Sequence, residues 1–222
     1  MSRPLSQLIY ARVQEGRGTP RLLTLHQHNG YARDAAHLAR MADPDAHIHG
    51  LQSYKGVYVG RDIVGYTWFV GPAASPSPLF FGDALAEIER FLWDEAIRQE
   101  TPDAELPFLI GIEQGAIMAL ATAAAVPDLI SGVIAIDGML PIVPGWEPPL
   151  APLDELPLLL VTQGGSAPSA SATVLTGDAL AETFRAWGGV VTTATTADDD
   201  TLATTLRTWL AAQTPRVRTL AE

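Results

Sequence analysis

The chain contains no cysteine. Composition alone therefore excludes a thiolate nucleophile, a cysteine-ligated metal site and a disulfide framework. Lysine is nearly absent too, Lys55 being the sole example in 222 residues. Arginine supplies the rest of the positive charge, no basic cluster forms, and the formal net charge is -11. Such a surface repels a phosphate backbone and an anionic bilayer alike, so neither nucleic acid nor a charged membrane is an expected partner. Long apolar runs are missing as well. No stretch of about 18 consecutive apolar residues is present to span a bilayer, and the opening MSRPLSQLIYARVQEG lacks the apolar core of a secretion signal. A cytoplasmic protein is expected.

What the chain does have is apolar mass: 47% of it is hydrophobic and only 18% charged, which argues against disorder. Its length suits a single domain over residues 1–222. Short β-type runs alternate with longer helical ones. Strands are expected at Leu8 to Val13, Arg21 to His26, Ala46 to Leu51, Phe108 to Ile112, Gly132 to Ile136, Leu158 to Val161 and Val190 to Thr195, with a turn at Gly16-Arg17-Gly18 after the first. Helices are expected at Tyr31 to Met41, Asp83 to Gln99, Gln114 to Ala125, Thr173 to Trp187 and Thr201 to Ala212. The second would be capped by Asp83 and place Leu85, Ile88, Leu92 and Ala96 on one face; Asp200 would cap the last. Residues 71–78 and 138–155 read as loops. Apolar strands between helices predict an α/β fold, a mostly parallel sheet covered on both faces, with no large cap domain.

One stretch carries chemistry: LIGIEQGAIMAL, Leu109 to Leu120. An apolar strand runs into Gly111-Ile112-Glu113-Gln114-Gly115 and then into a helix of small residues. Gly111 and Gly115 supply the missing side chains that a tight strand-to-helix elbow needs. The apex, Glu113, sits at a helix N-terminus, where free N–H groups and the dipole favour negative charge.

The sequence LHQHNG at Leu25 to Gly30, GYTWF at Gly65 to Phe69 and GIEQGAIMAL at Gly111 to Leu120 resembles the bacterial carboxylesterase, lysophospholipase and acyl-protein thioesterase family of the α/β-hydrolase superfamily. The family pattern is an L-H-G-x-G-G loop, a W-F segment and an elbow of the form G-F-S-Q-G-A-x-M-A-L, in the same order. The resemblance implies an oxyanion hole built from the backbone N–H groups of His28 and Gln114. It also implies a pocket bordered by His26, Gln27, Tyr66, Trp68 and Phe69. The family's serine, however, corresponds to Glu113. Its acidic partner falls in the loop Thr162 to Pro168, which has no acid, and its histidine falls in Thr195 to Asp200, which has no histidine. All three triad positions are replaced.

Carboxylate attack on an ester would give an anhydride, and an ionised Glu113 would oppose the oxyanion that the hole stabilises. Ordinary serine-esterase activity is therefore not expected. General acid/base work remains open to Glu113, with His28, on the loop that adjoins the elbow, as a hydrogen-bonded partner. All five histidines lie between His26 and His49. His26, His28 and Glu113 could compose a two-His, one-carboxylate metal set, but no supporting spacing motif accompanies them, and no metal or cofactor is expected. The resemblance implies a structural His26; His37 is expected to face solvent or pack on the sheet, and His47 and His49 to lie toward the end of their strand away from the site. Gln52, Tyr54 and Lys55 should lie near the mouth of the pocket, with Trp146 a lid or dimer contact. Two readings follow: an enzyme using Glu113 and His28 on a small apolar or carbonyl ligand, or an inactive pseudo-hydrolase that binds a small ligand. A third, a purely structural or interaction protein, with a homodimer as one form of it, stands behind them.

Overall fold

The computed structural model describes residues 9–14, 21–98, 105–164 and 174–217. The predicted turn at Gly16-Arg17-Gly18 and residues 165–168 of the loop at the acid position lie outside them. In chain order the elements are β1 (Ile9–Gln14), β2 (Arg21–Leu25), α1 (Ala32–Ala42), β3 (His47–Gln52), β4 (Lys55–Val59), β5 (Asp62–Thr67), α2 (Pro78–Arg98), β6 (Phe108–Ile112), α3 (Gln114–Ala125), β7 (Gly132–Ile136), β8 (Leu140–Pro141), β9 (Pro157–Gln163), β10 (Val174–Leu175), α4 (Gly177–Ala186), β11 (Val190–Thr196) and α5 (Asp199–Ala211). Seven strands form one sheet in the order β1-β3-β2-β6-β7-β9-β11. The edge strand β1 runs antiparallel to β3; every other pairing in the sheet is parallel.

The period of two in each strand divides the core into two layers. Leu23, Leu25, Leu109, Val133, Ala135, Leu158 and Leu160 face α2, α3 and α4. Leu22, Ile48, Phe108, Ile110, Ile134, Ile136, Leu159 and Val161 face α1 and α5. Helix α1 meets its layer through Ala32, Ala35, Ala36, Ala39 and Ala42, a helical spacing of small residues. Close approach follows: a Cβ on Gly50 of β3 would lie 2.9 Å from the Ala32 carbonyl oxygen. Helix α3 is apolar all round and buried from Gln114 to Ala124, as expected for a helix enclosed by other elements. Among the described residues no helix is long and apolar enough to cross a membrane.

Four departures from expectation have a local reason. Helix α2 starts at Pro78, not Asp83: proline suits the first helical position, and the Phe81 N–H bonds the Ser77 carbonyl at 2.9 Å. The expected helix from Thr173 begins only after Thr176, because Val174–Leu175 pair as a strand with Leu140–Pro141 of the proline-rich loop. Helix α5 is capped by Asp198 rather than Asp200, with the Asp198 carboxylate accepting from the Thr201 N–H at 2.8 Å. The fourth is an omission, the β4–β5 hairpin. Its signal was present in the alternating KGVYV and DIVGYT runs on either side of Gly60-Arg61, and Gly60 takes the positive φ of 66° that such a two-residue loop needs.

Candidate functional site

The parallel strands β2, β6, β7, β9 and β11 end on one side of the molecule, where ligands bind in open α/β sheets. Strand β6 turns there into α3 through Glu113, whose φ of 48° and ψ of -109° make it a strained apex for a residue with a side chain. The glycines beside it are required by packing. A Cβ on Gly111 would lie 2.3 Å from the Gly115 carbonyl oxygen, and one on Gly115 would lie 2.2 Å from the Leu25 carbonyl oxygen. The Glu113 N–H donates to the Ile136 carbonyl at 2.8 Å, which extends the β6–β7 ladder by one residue. Its side chain is exposed and makes no hydrogen bond to any described residue.

A cavity of about 440 Å³ opens over this apex. Its walls are His28, Gly71, Pro72, Ala73, Glu113, Gln114, Ile117, Asp137 and Met139. As the first residue of α3, Gln114 presents a backbone N–H with no helical carbonyl behind it, and that group faces the same end of the sheet. The cavity thus combines an apolar wall, two carboxylates, an imidazole and a helix N-terminus.

Asp137 was not anticipated from the sequence. It directly follows the buried strand β7, has a φ of 52°, and accepts a hydrogen bond from the Gln163 N–H on Oδ1 at 2.8 Å. An acid immediately after a fully apolar parallel strand, as in GVIAI-Asp137-Gly138, is the signal that could have found it.

His28 and Glu113 share the cavity, but the hydrogen bond expected between them is not formed. His28 Nδ1 instead meets Thr67 Oγ1 at 3.1 Å. The Gln114 side chain is buried and ties the elbow to the end of β5. Its Oε1 accepts from the Trp68 N–H at 2.7 Å and lies 2.8 Å from Thr67 Oγ1, while Nε2 donates to the Phe69 carbonyl at 3.0 Å.

The remaining expected pocket residues stand behind the cavity rather than on its wall. His26 is fully buried. Its Nδ1–H donates to the Gln27 carbonyl at 2.8 Å, and Nε2 accepts from Gln52 Nε2 at 3.0 Å and from the Ser53 N–H at 3.2 Å. With both nitrogens engaged it has none for a metal, so the His26–His28–Glu113 set is not formed. No group of three or more His, Asp or Glu side chains is placed to hold a metal among the described residues. Burial holds the His26 pKa down at about 4, the bond to Gln27 and the charge of Asp34 opposing that shift only in part.

Trp68, fully buried, stacks on His26 with centroids 4.9 Å apart and donates its indole N–H to the His26 carbonyl at 2.8 Å. Phe69 is buried against Phe81, and Tyr66 packs edge-on to Tyr31. Gln27 lies in the loop beneath, with Oε1 buried. Gln52 is likewise interior, its Oε1 accepting from the Ala32 N–H at 2.9 Å. Lys55 sits over the Tyr54 ring, 4.1 Å from its centroid. His37 is exposed on α1, and His47 and His49 bond each other at 2.9 Å. Trp146 packs on Phe81.

The loops that would hold an acid and a histidine are joined to each other instead. Gln163 Nε2 donates to Asp199 Oδ1 at 2.9 Å, and the Gly164 N–H donates to the Thr196 carbonyl at 3.0 Å.

Solved structures share this architecture. A carboxylesterase from Mesorhizobium loti superimposes with a TM-score of 0.69 at 19% identity, over 86% of this chain and 88% of that one. The Bacillus cereus carboxylesterase gives 0.69 at 18% identity over 92% of each chain. A phospholipase/carboxylesterase from Dyadobacter fermentans gives 0.64 at 15% identity, over 95% of this chain and 99% of that one. The chain has the α/β-hydrolase fold. Within that fold, "Putative esterase NocK" of Nocardia uniformis subsp. tsuyamanensis is a sequence relative, 31% identical over 143 residues. The match takes in 63% of this chain but only 38% of NocK. No family model matches the chain.

Proposed function

We propose that this hydrolase-fold protein does not cleave esters by a serine mechanism, and that Glu113 exchanges protons with a small apolar or carbonyl ligand held in the cavity. The observation that carries the reading is the apex itself. A non-glycine residue at φ 48° and ψ -109° costs on the order of 1–3 kcal/mol, yet its carboxylate lies on the cavity wall with no hydrogen-bond partner among the described residues. Glu113, presented on the cavity wall at the start of α3, is the base of this reading. His28, on the same wall, is the group for the second proton transfer. Ile117, Met139, Pro72 and Ala73 supply apolar contact for the ligand.

The pseudo-hydrolase reading has one observation in its favour: no hydrogen bond couples Glu113 to His28.

The experiment follows α-proton exchange of small ketones in heavy water by NMR, beside hydrolysis of short p-nitrophenyl esters. The expected result is ester hydrolysis at background and ketone exchange that falls at least about 100-fold in Glu113→Gln. Ester turnover abolished by Glu113→Ala would overturn the proposal. Exchange at background, with ketones still perturbing the cavity resonances, would overturn it in favour of binding without turnover.

A further inference from the structure

Resting on that reading of the cavity, the geometry points to Thr67 as the positioning residue that fixes the tautomer of His28. Thr67 Oγ1 has three polar neighbours: the Phe69 carbonyl at 2.8 Å, Gln114 Oε1 at 2.8 Å and His28 Nδ1 at 3.1 Å. A hydroxyl carries one hydrogen. The Phe69 oxygen can only accept. The Gln114 atom facing Thr67 is also an acceptor, because the Trp68 N–H donates to it and the other end of the amide donates to the Phe69 carbonyl. Reversing the amide would set N–H against N–H and oxygen against oxygen. The Thr67 hydrogen is therefore committed to one of these two oxygens, and toward His28 the hydroxyl has only a lone pair to offer.

Nδ1 of His28 must then carry the hydrogen. In the neutral ring this leaves Nε2 as the basic nitrogen, and Nε2 has no hydrogen-bond partner among the described residues. With its Nδ1 hydrogen held on Thr67, the ring takes up and returns a proton at Nε2, which makes that nitrogen the atom of His28 that exchanges with a ligand beside Glu113. The device is indirect: Thr67 is buried and does not line the cavity, and it acts by what it denies Nδ1. Gln114 in turn holds Thr67, so the elbow that presents Glu113 also sets the proton on His28.

The test is long-range imidazole ¹H–¹⁵N NMR of the full chain at a pH where the histidines are neutral, with His28 assigned through His28→Gln. The expected wild-type pattern for His28 is a protonated Nδ1 and an unprotonated Nε2. Thr67→Val removes the lone pair and should move the ring toward the Nε2–H form, and Thr67→Ser should restore the wild-type pattern. A protonated Nε2 in the wild type, needing no variant to observe, would overturn the inference. So would an unchanged pattern in a folded Thr67→Val. Failure of the acid/base reading looks different, since ketone exchange would be missing while the tautomer pattern held.

Discussion

Lowering the pH from about 7 to 4 should destabilise this protein through His26. The ring is fully buried, its Nε2 faces two N–H donors, and its pKa falls from 6.5 to about 4. In the unfolded chain the same ring titrates near its ordinary value. Unfolding therefore takes up a proton between the two values, and stability present above pH 6.5 is lost as the pH falls toward 4. At 1.36 kcal/mol per unit, a depression from 6.5 to about 4 corresponds to about 3 kcal/mol across that window. A loss of this size is a large share of the roughly 5–15 kcal/mol that holds a typical domain together.

The assay is urea unfolding of wild type and His26→Gln at several pH values between about 7 and 4. The variant offers an acceptor to Gln52 and Ser53 but has nothing to titrate. Carboxylates and the other histidines contribute to both proteins, so they cancel in the difference. The wild type's margin over the variant should shrink by about 3 kcal/mol across the window, most steeply between the two pKa values. A margin that stays constant with pH would refute the reasoning, as would a His26 NMR titration near 6.5.

Two further outcomes follow from local geometry. Glu113→Gly should stabilise the fold by about 1 kcal/mol in urea unfolding, because relief of roughly 1–3 kcal/mol of backbone strain exceeds the roughly 0.5–1 kcal/mol entropy penalty of glycine. Asp198→Ala removes the acceptor for the Thr201 N–H at the start of α5 and should lower the urea midpoint, with no change at the cavity.

The sheet was legible because its strands are encoded twice, by composition and by period. Phe108 to Ile112 and Gly132 to Ile136 were read to the residue, since a fully buried parallel strand has to be apolar throughout. The β4–β5 hairpin escaped because its outer residues face solvent, so no buried stripe marks it: Tyr58, Val59, Ile63 and Val64 are all exposed. At the site, Glu113 was legible because glycines bracket it. His28 was found from its loop, but its bonding was not. Which atom meets Nδ1 depends on where Thr67 falls, and Thr67 lies 39 residues away on a hairpin that the sequence did not reveal. Asp137 was missed for a simpler reason. One acid after one strand has no local partner to distinguish it, and only the sheet order brings it beside the apex.

The close contacts of Gly111 and Gly115 have a consequence for how this chain can change over time. Both glycines are demanded by backbone atoms, the Gly115 and Leu25 carbonyls, and neither contact involves the side chain of residue 113. The apex is thus mechanically decoupled from the frame that holds it. Its side chain carries no packing duty and is exposed, so it can be exchanged in one mutational step without repacking the sheet or α3. A glycine-bracketed elbow is therefore a socket whose shape is set by its frame and not by the residue it presents.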